Sequence, residues 1–119
     1  MSHRDFKGAL YSQFARIGHA LASPKRIELL DLLSQGEKPV ERLAEFTGTP
    51  IKNTSAHLRA LRQARLVETR KQGTQVFYRL ADSSVDNFLR VFFAFPNVRT
   101  ALNGEQRHML DVVPKKSTA

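Results

Sequence analysis

The sequence contains no cysteine, which excludes disulfides, thiolate metal sites and thiol redox sensing together. No apolar run approaches the roughly 18 to 20 residues that cross a bilayer, so no membrane partner is expected. The opening MSHRDFKGAL lacks the uninterrupted apolar core of a secretory signal, and a cytoplasmic location is the expectation. The four histidines, His3, His19, His57 and His108, lie far apart without metal-ligand spacing. There is also no Gly-rich phosphate loop, no nucleophile beside a base and no metal-ligand cluster. Neither catalysis nor a bound cofactor or metal is expected.

A chain of 119 residues with 41% hydrophobic and 25% charged residues has the make-up of one ordinary globular domain. Acidic residues are few, 11 against 19 lysines and arginines, for a net charge of +8. That charge is unevenly placed. From Pro50 to Leu80, Lys52, Arg59, Arg62, Arg65, Arg70, Lys71 and Arg79 face Glu68 alone. Such a stretch is either a footprint for a polyanion or a solvated surface, and charge by itself does not choose.

Hydrophobic spacing and punctuation divide the chain. Phe6, Leu10, Phe14, Ile17 and Leu21 recur at helical intervals. Ser23-Pro24 is a cap-then-proline start for a second helix, rich in leucine and ending at Gln35-Gly36. Pro39 opens a short third helix with Val40, Leu43, Ala44 and Phe46 inward, broken at Thr47-Gly48. Thr49-Pro50 repeats the start signal for a fourth helix over about 50–64. Its wheel sets Ile51, Thr54, Leu58 and Leu61 on one side. Lys52, Ser55, Ala56, Arg59 and Gln63 fall on the other, with Asn53 at the flank.

The period then changes to that of two strands, 66–70 and 75–80, joined through Gly73 as a hairpin. Asp82 and Ser83 are expected to cap a last helix with a stripe of Val85, Phe88, Leu89, Phe92 and Phe93, which Pro96 stops. Residues 1–96 read as one domain. Residues 97–119 read as a tail, either irregular or carrying a short helix near 105–112.

The expected fold is therefore mostly α with a small β-hairpin: a winged helix-turn-helix of about five helices and a two-stranded wing. A fourth helix buried on one side and basic and polar on the other suits the DNA major groove, which admits one α-helix. Candidate DNA-contacting residues are Lys52, Asn53, Ser55, Ala56, Arg59 and Arg62 on that helix. Arg70, Lys71 and Gln75 on the wing (70–75) are placed for an adjacent backbone or minor groove. Each has a structural alternative. Asn53 can serve the helix start, His57 fits packing better than base reading, and Arg65 and Arg79 can simply brace the hairpin.

The run ALASPKRIELLDLLSQGEKPVERLAEFTGTPIKNTSAHLRALRQARLVETRKQGTQVFYRLAD resembles the winged-helix core of the ArsR/SmtB family of transcriptional regulators. The marks are Ala22, Pro24 and Arg26 at the second helix, the Leu43-Ala44 pair, Ser55-x-His57-Leu58-x-x-Leu61-Arg62, Leu66-Val67 to Gly73, and Phe77-Tyr78-Arg79-Leu80. The resemblance implies a homodimer joined by the first and last helices, repressing from a double-stranded operator, expected as an inverted repeat. Phe6, Leu10, Phe14, Phe88, Leu89, Phe92 and Phe93 supply more apolar surface than so short a chain needs internally, which fits an interface; closing the monomer core is the alternative.

Two family hallmarks are missing. Pro39 and Glu41 stand where metal-sensing members commonly carry a cysteine pair. Asp82 on the last helix lacks the histidine of the other common site. The effector is thus unassigned: a small molecule or partner near the aromatic helices, or none. The competing function is a winged-helix protein-interaction module without sequence-specific DNA binding. It calls for an acidic or apolar outer face on the fourth helix. RNA readers expose stacking aromatics, whereas the aromatics here fall on the apolar stripes.

Overall fold

Local capping signals set most element boundaries in the computed structural model, which describes residues 2–95. Helix α1 (His3–Leu21) starts at Ser2, whose hydroxyl accepts the Asp5 N–H at 3.1 Å. Helix α2 (Pro24–Leu33) begins as the sequence predicts: Ser23 Oγ accepts the Arg26 N–H at 3.4 Å and Pro24 takes the first helical position. Helices α3 (Val40–Thr47) and α4 (Ile51–Gln63) depart from expectation by a residue. Pro39 and Pro50 are themselves the caps, with extended backbone, and neither helix has a side-chain cap. Thr49 does not cap α4; its hydroxyl donates back to the Thr47 carbonyl at 3.3 Å.

The turn between α3 and α4 depends on Gly48, which takes the left-handed φ of 63°. There the Gly48 N–H reaches Glu45 O at 3.2 Å and the Thr49 N–H reaches Ala44 O at 3.1 Å, closing the helix end. Lys25 Nζ donates to Thr47 O at 2.8 Å, tying α2 to the same turn.

Strands β2 (Val67–Gln72) and β3 (Gln75–Leu80) pair antiparallel from Val67 opposite Leu80 to Gln72 opposite Gln75. The loop is therefore Gly73-Thr74 alone, and Gly73 has a φ of 63° at its first position, where a type II′ turn favours glycine. The sheet has a third strand that was not anticipated. β1 (Lys38–Pro39), which precedes α3, pairs with β3 through Lys38 opposite Tyr78 and Pro39 opposite Phe77. The order is β1-β3-β2, so proline sits on an edge, where a missing N–H is tolerated. Helix α5 (Ser83–Ala94) follows.

The chain divides into two compact units, Met1–Asp82 and Ser83–Ala119. In the first, α2 packs against α1, α3, α4 and β3. Leu29, Leu30, Leu43, Leu58 and Leu61 are fully buried there, with Leu33 and Val67 nearly so. Thr54 and Thr47 share this interior by donating their hydroxyls to the helix carbonyls of Pro50 (3.0 Å) and Leu43 (2.9 Å). In the second unit, α5 and Phe95 are described; the expected tail 97–119 lies outside the described residues.

Two inward expectations are corrected. Phe46 is 52% exposed and Ile51 50% exposed. On α3 the inward stripe is Val40, Leu43, Ala44 and Thr47, spaced i, i+3, i+4, i+7, and Phe46 lies off it. Its ring instead lies under the Arg42 guanidinium, 5.3 Å away. Ile51 is in the first turn of α4, beyond the buried Thr54–Leu61 stretch.

Since Leu58 is wholly buried, Leu58→Ala is expected to lower unfolding stability by about 2–5 kcal/mol. Urea denaturation followed by circular dichroism checks this; a midpoint within error of the native chain would contradict the assigned core.

Candidate nucleic-acid interface

The burial of Thr54, Leu58 and Leu61 fixes which side of α4 faces outward. Lys52, Asn53, Ala56, Arg59 and Arg62 are exposed and Ser55 is half-buried. The side chain of Asn53 is not spent on the helix start, because α4 has no side-chain cap. The first N–H groups of a helix have no intrahelical partner, and α4 supplies no side-chain cap for them. His57 is half-buried and accepts the Arg26 Nε–H on Nδ1 at 3.3 Å, which is the packing role.

Ion pairing separates the seven basic residues of this region. Arg79 pairs with Glu68 at 2.8 Å directly across the hairpin, so it takes the bracing role that was its structural alternative. Arg70 differs from expectation. Its guanidinium grips Glu37 with contacts of 2.6, 3.0 and 3.1 Å, reaches Gln72 Oε1 at 2.8 Å, and lies 4.8 Å over the Phe77 ring. It ties the middle of β2, opposite Phe77, to the segment before β1. Lys52, Arg59, Arg62, Arg65 and Lys71 take part in no ion pair among the described residues. Lys71 and Gln75 stand exposed near the wing tip.

Arg65, for which bracing the hairpin was the structural alternative, makes no ion pair among the described residues. It adopts a left-handed φ of 62°, the only non-glycine among the described residues to do so. The Leu66 N–H reaches Leu61 O at 3.0 Å and the Arg65 N–H reaches Arg62 O at 2.9 Å, so an arginine ends α4 where glycine is usual. Nothing in the sequence signals this. Its effect is to hold one more cation, exposed, at the end of α4.

The aromatic residues expected at an interface are distributed unevenly. On α1, Phe6 and Phe14 are 57% and 59% exposed and Leu10 is 38% exposed; Tyr11, not singled out from the sequence, is equally open. On α5, Phe88, Val91 and Phe95 are exposed, Phe92 and Phe93 are half-buried, and Leu89 is buried. Phe92 contacts Phe88, Phe93 and Phe95 with centroids 5.8, 6.5 and 6.1 Å apart. Among the described residues no group of three metal-ligating side chains occurs, and no helix is long and apolar enough to cross a membrane.

Residues 23–69 match the family model of arsR-family bacterial regulatory proteins. The chain is 48% identical over 81 residues to the HTH-type transcriptional regulator Rv0324 of Mycobacterium tuberculosis, covering 68% of this chain and 36% of that protein. It is 42% identical over 88 residues to KmtR, an HTH-type transcriptional regulator of the same organism, covering 74% and 66%. It thus spans only part of the length of these relatives. Among solved structures it is similar to a homodimeric winged helix-turn-helix DNA-binding domain from Mycobacterium bovis. There the TM-score is 0.72 and the identity 43%, over 77% of this chain and 83% of that fragment. It is similar also to NolR of Sinorhizobium fredii, with a TM-score of 0.67 and 31% identity over 78% and 91%.

The Glu37–Arg70 clamp has a pH signature. The hydrogen bond from Arg70 holds the Glu37 carboxyl below its ordinary value; desolvation opposes this, and attraction to Arg70 and Arg79 adds to it. Since the folded value is the lower one, the clamp stabilises the fold above the ordinary carboxylate range. That contribution is lost as pH falls through the lowered value. Acidification is expected to release Arg70, seen as a shift and faster exchange of its Nε–H in NMR spectra. Glu37→Gln should show the released position already at neutral pH. A Glu37→Gln spectrum in which Arg70 is unmoved would contradict the clamp.

Proposed function

The chain belongs to the ArsR family of winged helix-turn-helix bacterial regulators, and on that premise we propose that it is a homodimeric repressor of a specific double-stranded DNA operator. The observation that supports this most is the division of α4. One side is buried, while the other presents Lys52, Asn53, Ala56 and Arg59 to solvent, with none of them in an ion pair among the described residues. The exposed side enters the major groove. Asn53 reads a base edge through its amide, the exposed methyls of Ile51 and Ala56 meet apolar thymine methyls, and Arg59, Arg62 and Arg65 neutralise phosphates.

Lys71 and Gln75 at the wing reach the neighbouring backbone or minor groove, while Arg70 keeps the wing at a fixed angle through Glu37. Two copies joined through Phe6, Leu10, Tyr11 and Phe14 of α1 and Phe88, Phe92 and Phe93 of α5 present two reading helices. That arrangement calls for an inverted-repeat operator. Repression follows from occupying the promoter, so no catalytic residue is required.

Base readers and phosphate anchors fail differently, and this separates the two roles. Asn53→Ala is expected to lose about 1–3 kcal/mol of discrimination between operator and scrambled DNA. Lys71→Ala should weaken both DNAs alike and lower the salt slope by about one. Fluorescence anisotropy on the native upstream DNA measures both. Full discrimination retained by Asn53→Ala would remove the base-reading assignment.

A further inference from the structure

The first unit contains an open cavity of about 560 Å³ on the side of α4 that carries Ala60 and Gln63. Arg16 and His19 of α1 and Arg26 of α2 complete its wall. Among the described residues, no carboxylate lines it. Arg16 is exposed and takes part in no ion pair among the described residues. Arg26 is half-buried, and its side chain donates to neutral partners among the described residues: His57 Nδ1 at 3.3 Å and the His19 carbonyl at 3.5 Å. Two guanidinium charges therefore share a pocket with no counter-charge, an amide and an imidazole beside them, and alanines leaving the space open. A half-buried guanidinium such as that of Arg26, left without a counter-charge beside a second cation, favours an anion, and guanidinium forks match carboxylate and phosphate oxygens. The volume lies within the range of small-molecule sites.

We propose that this cavity binds a small organic anion carrying carboxylate or phosphate groups, and that its occupancy lowers affinity for DNA. Two features link the cavity to the reading helix. Arg26 is the hydrogen-bond partner of His57 on α4, so an anion that takes the Arg26 guanidinium disturbs the contact seating that helix. A bound anion also cancels positive charge beside Arg59, Arg62 and Arg65 and repels the phosphate backbone. Anion and DNA then oppose each other by the same factor in both directions. The coupling rests on the DNA-binding function proposed above; the anion site does not.

The test is an NMR titration of the isotope-labelled full chain with citrate and, separately, inorganic phosphate, at constant ionic strength balanced with chloride. Saturable shifts at Arg16, His19, Arg26 and His57 are expected, weakened about tenfold or more in Arg16→Ala, a residue whose exposure keeps the fold intact. Citrate should also lower DNA affinity in the native chain and have no such effect in Arg16→Ala. Shifts that do not saturate, or that Arg16→Ala leaves unchanged, overturn the site. If citrate does not bind and Arg16→Ala instead lowers the salt slope of DNA binding by about one, the cavity seats a DNA phosphate and the effector proposal falls. Saturable citrate binding in a chain that binds no DNA would uphold the site and remove the function proposed for α4.

Discussion

Helix α4 packs against α2 and α3 through a side on which Thr54, Leu58 and Leu61 are withdrawn from water, and this packing determines what the rest of the surface presents. Each buried leucine is worth about 1.5–3 kcal/mol. An exposed ion pair contributes about 0–1 kcal/mol. The rotation of α4 about its own axis is thus set by the leucines, and the charged and short polar residues go where the leucines leave them. Gly48 and the Lys25–Thr47 contact fix the angle at which α4 leaves α3. The outward row from Lys52 to Arg59 is therefore held on a rigid element, as the base-reading role proposed for it requires.

The wing is placed by a different device. A two-strand hairpin is marginal by itself, and here β1 adds an edge and Arg70 fastens the hairpin to Glu37 over the Phe77 ring. The basic stretch of the sequence consequently divides into two populations. Arg70 and Arg79 shape the wing through carboxylates, while Lys52, Arg59, Arg62, Arg65 and Lys71 take part in no ion pair among the described residues. Charge counting alone merges these groups. The cavity beside α4 extends the same distinction, since Arg16 and Arg26 carry charge that no carboxylate of the cavity wall answers.

The helices and the hairpin were legible in the sequence because each signal is local and periodic: leucine spacing, Ser23-Pro24, and glycine at the hairpin turn. What escaped was either too short or too distant. A two-residue strand such as β1 has no periodicity to detect. Glu37 and Arg70 are 33 residues apart, so their pairing is a product of the sheet and not of any motif. Phe46 was misplaced because hydrophobicity was given more weight than wheel position, whereas Thr47, a polar residue, fills the inward place by bonding to its own helix; Ile51 shares the buried face of α4 on the wheel but lies in its first turn, beyond the packed stretch. For the candidate site, Lys52, Asn53, Ala56, Arg59, Arg62, Lys71 and Gln75 stand exposed as the sequence suggested. Arg70 and Leu89 are engaged or buried, and Tyr11 and the left-handed Arg65 went unnoticed.

The central claim is that the outward side of α4, presented twice by a dimer, reads a particular DNA sequence. The most direct measurement is an anisotropy titration of the native upstream duplex against a scrambled duplex across a salt series, with one arm run at stoichiometric concentration. The account predicts saturation at two chains per operator. It also predicts affinity that falls by orders of magnitude between roughly 50 and 200 mM salt, and a preference for the native duplex that scrambled competitor does not abolish. Equal affinity for both duplexes, or binding indifferent to salt, would contradict it.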